Sequence, residues 1–325
     1  MTSYFDCGVS IDGNDALISI IKGICSSTHN DSVIEGVGGF CSLYAVPNTD
    51  LIITASSDGV GSKLQLADEL SEYGYLSTVG FDLVGMVIND LLPCGSKPLF
   101  FLDYLAVRSI GKTDDKIQQI LEGVAAACKI AGVALVGGET AELPHLFNKR
   151  CDFDIAGFGV GIVSKENVKG KHLVKPGDIV VGIESNGPHS NGYSLITKVL
   201  KNFVLNDAGV RQEVMKPTFI YSRVIESIKS PKVHAMAHIT GGGLISNTMR
   251  SIPDHLEVQW EKLDLPTLFW FISYIGDVEE EEMRKVFNCG IGFVVIVDRS
   301  YSSEAISIIN SQGFKSRTIG TVVLK

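Results

Sequence analysis

The apolar run Leu51-Ile52-Ile53-Thr54-Ala55 reads as a short buried strand, and Leu64-Gln65-Leu66-Ala67 opens a helical pattern. Between them lies Ser57-Asp58-Gly59-Val60-Gly61-Ser62-Lys63. A carboxylate, two glycines, a hydroxyl and an ammonium thus share one strand-to-helix loop. Acid for a divalent cation, with open backbone and lysine for an anion, are the parts of a magnesium and phosphate site. The G-x-x-x-x-G-K-[ST] spacing of a P-loop is absent. Asp-Gly is also a common turn dipeptide, so the loop taken alone leaves a plain turn open.

The rest of the chain alternates strand-like and helix-like segments. Strands are expected at 51–56, 98–107, 133–137 and 154–163, with helices at 80–92 and 113–131. Charge, glycine and proline gather at Ser164–Asp178, which reads as a linker. Alternation then restarts: strands at 179–183, 233–239, 291–297 and 317–324, and helices at 192–203, 217–229, 243–250, 267–287 and 302–312. At 325 residues there is room for two cores. The expected fold is α/β of the α+β type. It has two domains, 1–166 and 167–325, and mixed sheets, because several connections are too short for crossover helices.

A net charge of −9 argues against a nucleic-acid surface and against an anionic membrane. No run of about 18 apolar residues is present, and Met1–Asp6 shows no basic region leading into an apolar segment. The seven cysteines include no C-x-x-C pair, which supports neither a zinc site nor a disulfide framework. A reduced, cytoplasmic protein is expected.

Four further groups carry possible chemistry. Asp82 and Asn89 lie seven apart on one helix face, and Asn89-Asp90 sits near the helix end, where an acid opposes the dipole. A cation would offset this, as would solvent. Gly137-Gly138-Glu139-Thr140-Ala141-Glu142 follows a buried strand, where α/β sheets bind ligands; a tight turn is the bland alternative. Gly157, Gly159 and Gly161 bare one side of a strand for a ligand or for another backbone, as at a subunit interface. Finally, Ser185–Ser194, with His189, Ser190 and Asn191, and His238-Ile239-Thr240-Gly241-Gly242-Gly243 both run into helices, as an anion site requires. Gly36-Val37-Gly38-Gly39-Phe40 would fold over a nucleotide or serve only as a flexible link.

Taken in order, these stretches resemble the aminoimidazole ribonucleotide (AIR) synthetase family, the phosphoribosylformylglycinamidine cyclo-ligases of purine biosynthesis. The resemblance rests on Asp58–Lys63, Val87–Leu92, Pro98–Tyr104, Gly137–Glu142, Gly187–Leu195, Ala237–Gly243 and Phe287–Gly292, with the opening Tyr4–Lys22 and its Asp12 and Asn14. It implies ATP-dependent ring closure of formylglycinamidine ribonucleotide, with ATP and Mg2+ as cofactors and a homodimer whose N-terminal domains share a barrel. By resemblance, Asp58, Asp90 and Glu139 hold the metal and triphosphate, with Lys63, Asn89, Gly38 and Gly39 at the nucleotide. Lys22 and Asp58 join His189 in catalysis, His189 as acid–base or orienting group. Ser190, Asn191, Thr240, Gly241 and Gly242 take the substrate's phosphate.

The sequence departs from the family pattern at Ser62, at Pro144–Phe147 and at Ser246–Arg250, none of which is a proposed metal position. Selenophosphate synthetases, hydrogenase-maturation dehydratases and thiamin-phosphate kinases share the acidic site, but not the 189–195 and 238–243 stretches together. Cys7 beside Gly8 only faintly echoes the first of these. A nucleotide-binding scaffold without turnover would not need all of Asp58, Lys63, Asp90, Glu139 and His189.

Overall fold

The computed structural model describes residues 11–147 and 151–325, so Tyr4–Ser10 of the opening stretch, Cys7 included, lie outside the described residues. The chain runs α1 (Ile11–Ser26), β1 (Val33–Glu35), β2 (Ser42–Ala45), β3 (Leu51–Gly59), α2 (Lys63–Glu69), α3 (Leu76–Leu91), β4 (Lys97–Val107), α4 (Asp114–Ala131), β5 (Ala134–Glu142) and β6 (Phe153–Ser164). It continues with β7 (Ile179–Glu184), α5 (Tyr193–Asn206), α6 (Ala208–Val214), α7 (Ser222–Ser227), β8 (Val233–His238), α8 (Gly243–Met249) and β9 (Leu256–Trp260). The last elements are α9 (Thr267–Gly276), α10 (Glu280–Val286), β10 (Ile291–Val297), α11 (Ser302–Ser311) and β11 (Ser316–Leu324).

Two sheets result. The first is ordered β1-β2-β3-β6-β4-β5 and the second β8-β10-β7-β11-β9. The first is mixed, as expected: β4 and β5 are parallel, joined by the crossover helix α4, and its other pairs are antiparallel. The second is antiparallel throughout. Its interior strand β10 is buried at every residue, which explains why Ile291–Val297 reads as an unbroken apolar run.

The bare side of β6 settles how the first half packs. A Cβ at Gly157 would meet the Phe101 ring, and one at Gly159 would meet Val87, Leu91 and Ile88. That space is filled by α3 of the same chain, which corrects the expectation that it suits a subunit interface. Leu83, Val84, Val87, Ile88 and Leu91 of α3 are all fully buried there, each contributing about 1.5–3 kcal/mol. Gly80 and Gly123 let α3 and α4 meet backbone to backbone, since a Cβ at either would strike the other helix's main chain. Leu76–Cys94 is long and apolar enough to cross a membrane, but it is mostly buried as this core helix.

Several local expectations are corrected. β3 continues through Asp58 and Gly59, so only Val60–Ser62 separate it from α2. Gly137–Glu142 belongs to β5 and is no loop. The helix expected over 217–229 shrinks to α7, because Pro217 has no amide hydrogen and the neighbouring backbone bonds to α3 instead. α1, β1, β2, α6 and β9 are elements beyond those expected from the sequence.

Candidate functional site

The two polar faces of α3 have different jobs. Asp82 and Asn89, two turns apart, share one face as expected, and that face grips the segment 216–221 of the C-terminal half. Asp82 Oδ1 accepts from Thr218 N at 2.8 Å, from Thr218 Oγ1 at 2.7 Å and from Lys63 Nζ at 2.9 Å. Asn89 Nδ2 donates to Phe219 O at 2.8 Å, and its Oδ1 accepts from Tyr221 N at 2.9 Å. Lys63 also donates to His189 O at 3.0 Å and Lys216 O at 2.7 Å. Its three ammonium donors are therefore used inside the protein, where its side chain and that of Asp82 are wholly buried.

Burial pushes Lys63 down and Asp82 up in pKa, and the attraction of the pair opposes both shifts. The polar atoms of Lys63 and Asn89, expected at the nucleotide, are here engaged by groups of the protein itself. Both residues join the two halves of the molecule.

Asp90 follows Asn89 by one residue and so points a quarter-turn away, toward a different seam. There its Oδ1 accepts from His238 Nδ1 at 2.8 Å. With Nδ1 donating, Nε2 is an acceptor, and it is buried without a partner among the described residues. Asp58 approaches from β3, its Oδ1 accepting from Gly59 N at 2.7 Å. Burial, and then the nearby charge of Asp90, push the Asp58 carboxyl up to about 6, against the pull of the Gly59 amide and His238. Two carboxylates close enough for the charge of one to act on the other, in a half-buried seam, form an oxygen donor set that suits a hard divalent cation such as Mg2+.

Glu139 does not join them within one chain. Asp58 pairs across the sheet with Gly157, Gly157 with Asp103, and Asp103 with Gly138. Glu139 is thus one residue past a row three strands away, about 14 Å at the usual strand spacing. Alternation also puts it on the opposite face, beside exposed Tyr104, whereas Asp58 faces the α3 side. Within one chain Glu139 is thus set apart from Asp58, against the expected convergence of three acids.

His189 is fully buried in a left-handed conformation, φ 59°. Its Nε2 accepts from Asn186 N at 3.1 Å, while Nδ1 has no partner among the described residues. Burial, with the charges of His238 and Lys63, holds its pKa well below the usual histidine range, so the ring is neutral at pH 7. Gly292 makes room for it, because a Cβ there would collide with His189 and Tyr221.

The two substrate-loop candidates do meet. The Asn191 side chain lies against Gly241, and Ser190 Oγ is 3.4 Å from Thr218 Oγ1. Asn247 Nδ2 ties the second loop by donating to Gly241 O at 3.1 Å and Gly243 O at 2.8 Å, with Thr240 O at 3.4 Å. Gly242 and Gly243 both have positive φ, which side chains disfavour.

The first glycine loop reaches this region as well, through Arg250 donating to Gly39 O and Gly38 O. Lys22 is exposed on α1 and forms no ion pair with Asp58 or Asp90 among the described residues. His238, Thr218 and Arg250 were given no role from the sequence. The available hint was His238 at the end of a buried strand leading into a glycine loop. A separate grouping of Asp178, His234 and Asp298 lies at the other end of β8, with His234 Nδ1 2.7 Å from Asp178 Oδ2.

Residues 38–163 match the model for the N-terminal domain of AIR synthase related proteins, and residues 175–325 match the C-terminal domain. The chain is 43% identical over 334 residues to the phosphoribosylformylglycinamidine cyclo-ligase of Thermoanaerobacter pseudethanolicus, covering 99% of this chain and 97% of that one. It is 41% identical over 333 residues to the cyclo-ligase of Caldanaerobacter subterraneus subsp. tengcongensis, covering 98% and 97%.

Among solved structures, a HypE–HypF complex gives a TM-score of 0.66 at 18% identity, with 94% of this chain and 93% of that one covered. AaThiL complexed with AMPPCP and TMP gives 0.64 at 15%, with 95% and 90% covered. These last two share the fold.

Proposed function

Since the chain belongs to the AIR synthase related family, and within it to the phosphoribosylformylglycinamidine cyclo-ligases, we propose that Asp58 and Asp90 hold the divalent cation and phosphates of its nucleotide. The enzyme is an ATP-dependent ligase of purine biosynthesis that closes formylglycinamidine ribonucleotide to 5-aminoimidazole ribonucleotide, releasing ADP and phosphate. The observation that carries the site reading is the seam in which Asp90, oriented by His238, and Asp58, pushed up to about 6, face each other.

The chemical difficulty is that the formyl amide oxygen is a poor leaving group until it carries phosphate. A nitrogen of the amidine then closes the ring, and phosphate departs. A bound Mg2+ would neutralise charge on the phosphates. The chain's own residues supply position and a dry setting. Thr240–Gly242, Ser190 and Asn191 form a polar cradle, open at Gly241, for the ribose phosphate. His189 enters neutral; with Nε2 accepting from Asn186 N, Nδ1 carries the proton and is an open donor, which suits orienting the substrate by a hydrogen bond or giving a proton to a departing oxygen.

The division at 166/167 falls between the two sheets, which draw on residues 33–164 and 179–324. A homodimer is supported by the uncovered face of the first sheet, where Tyr44, Leu51, Ile53, Tyr104 and Phe158 stand exposed. Glu139 lies on that face, so it would serve an active site through a second copy. The cytoplasm is the fitting compartment for such a biosynthetic enzyme with unpaired cysteines.

The test is ADP release from purified enzyme. It should require both formylglycinamidine ribonucleotide and Mg2+, and Asp58→Asn should lower it at least ~10²-fold. An Asp58→Asn enzyme with native turnover and native Mg2+ dependence would refute the site.

A further inference from the structure

A hydrogen-bonded path joins the first glycine-rich loop of the chain to the last. Arg250, at the C-terminal end of α8, lays its guanidinium 4.1 Å from the centre of the Phe40 ring. One amino group, Nη2, donates to Gly39 O at 2.6 Å and Gly38 O at 3.2 Å. The other, Nη1, donates to Asn247 Oδ1 at 3.3 Å. Asn247 is only 2% exposed, and its Nδ2 donates in turn to Gly241 O and Gly243 O. Two side chains thus connect the backbone of loop 36–40, in the N-terminal half, with that of loop 240–243, in the C-terminal half. The negative charges of Asp90 and Glu35 both act on the same guanidinium, which places it beside the acid seam. A planar fork with donors pointing two ways can span this gap, and a lysine's compact ammonium cannot.

We infer that Arg250, acting through Asn247, is a positioning residue that couples the nucleotide loop to the substrate loop, so that ordering either one by its ligand favours the other. The inference rests on the proposed reading, in which loop 36–40 covers nucleotide and loop 240–243 holds the substrate's phosphate. Coupling of this kind is reciprocal: each ligand tightens the other by the same factor.

The experiment is titration calorimetry of AMPPCP with Mg2+, with and without saturating formylglycinamidine ribonucleotide, and the reverse titration. The native enzyme should bind either ligand ~5-fold or more tightly when the other is present. Arg250→Met keeps the apolar stem against Phe40 but removes the donors, and should bring that ratio down to about 1. Arg250→Lys restores the charge without the fork and should stay near the same low ratio, which also serves if the methionine variant folds poorly. A native ratio of 1, or a native-like ratio in either variant, would overturn the inference while leaving the site reading in place. Asp58→Asn addresses the reading separately: it should lose AMPPCP affinity, and undiminished affinity would overturn both.

Discussion

Asp90 and His238 meet across the seam between the two sheets, the imidazole Nδ1 donating to the carboxylate at 2.8 Å. One comes from the end of a core helix of the first half and the other from the end of a buried strand of the second. The acid that would hold a cation therefore owes its orientation to a residue on the other side of the molecule.

His238→Ala should leave Asp90 free to turn and should raise the Mg2+ concentration for half-maximal ADP release by ~10–100-fold. Excess Mg2+ should recover much of the rate. A magnesium titration checks this, and an unchanged midpoint would count against an orienting role.

Lys63 and Asp82 predict a stability effect. Lys63→Met leaves Asp82 as an uncompensated buried charge and should cost about 3–5 kcal/mol in urea unfolding. Adding Asp82→Leu should recover part of the loss, although Thr218 then loses its acceptor. The KM for ATP of the folded enzyme should stay near the native value. A large rise in that KM with unchanged stability would return Lys63 to the phosphate.

Gly157→Ala should destabilise by about 1–3 kcal/mol, because the added methyl lands on the Phe101 ring against α3. Dimerisation, measured by sedimentation, should be unaffected once the variant is folded. Selective loss of the dimer would restore the interface reading of the alternating glycines.

His189 predicts a pH dependence. Its folded pKa is held well below the ordinary 6.5 by burial, so below about pH 6.5 the unfolded chain binds the proton and the folded one does not. The stability from the neutral ring is thus present above that pH and lost as pH falls from 7 toward 5. Urea unfolding of His189→Gln, compared with the native chain, should show a shallower decline over this window. An identical slope would mean that the buried ring is not responsible.

Much of this was legible in the sequence for identifiable reasons. Strands and helices with clear apolar periodicity, such as 98–107, 113–131 and 291–297, fall within a residue of their observed bounds. Asp58 stands out in the sequence because acid, glycine and hydroxyl crowd into one short stretch, and Asp90 because an acid near a helix end opposes the dipole.

What escaped was partnership over distance. Nothing local to Lys63 shows that Asp82 and two carbonyls more than 120 residues away will use its ammonium. Glu139 was misplaced because Gly137-Gly138 resembles a turn, whereas in β5 the strand runs on and alternation sends the side chain to the open face. His238 and Arg250 gain their roles only when the C-terminal half folds against the first.

The most direct measurement is an anomalous diffraction map from crystals soaked with Mn2+ and AMPPCP. The strongest peak should lie between the carboxylates of Asp58 and Asp90, with phosphate oxygens completing its shell. A peak confined to Asp178, His234 and Asp298, or one at Glu139 with the Asp58–Asp90 seam empty, would contradict the account.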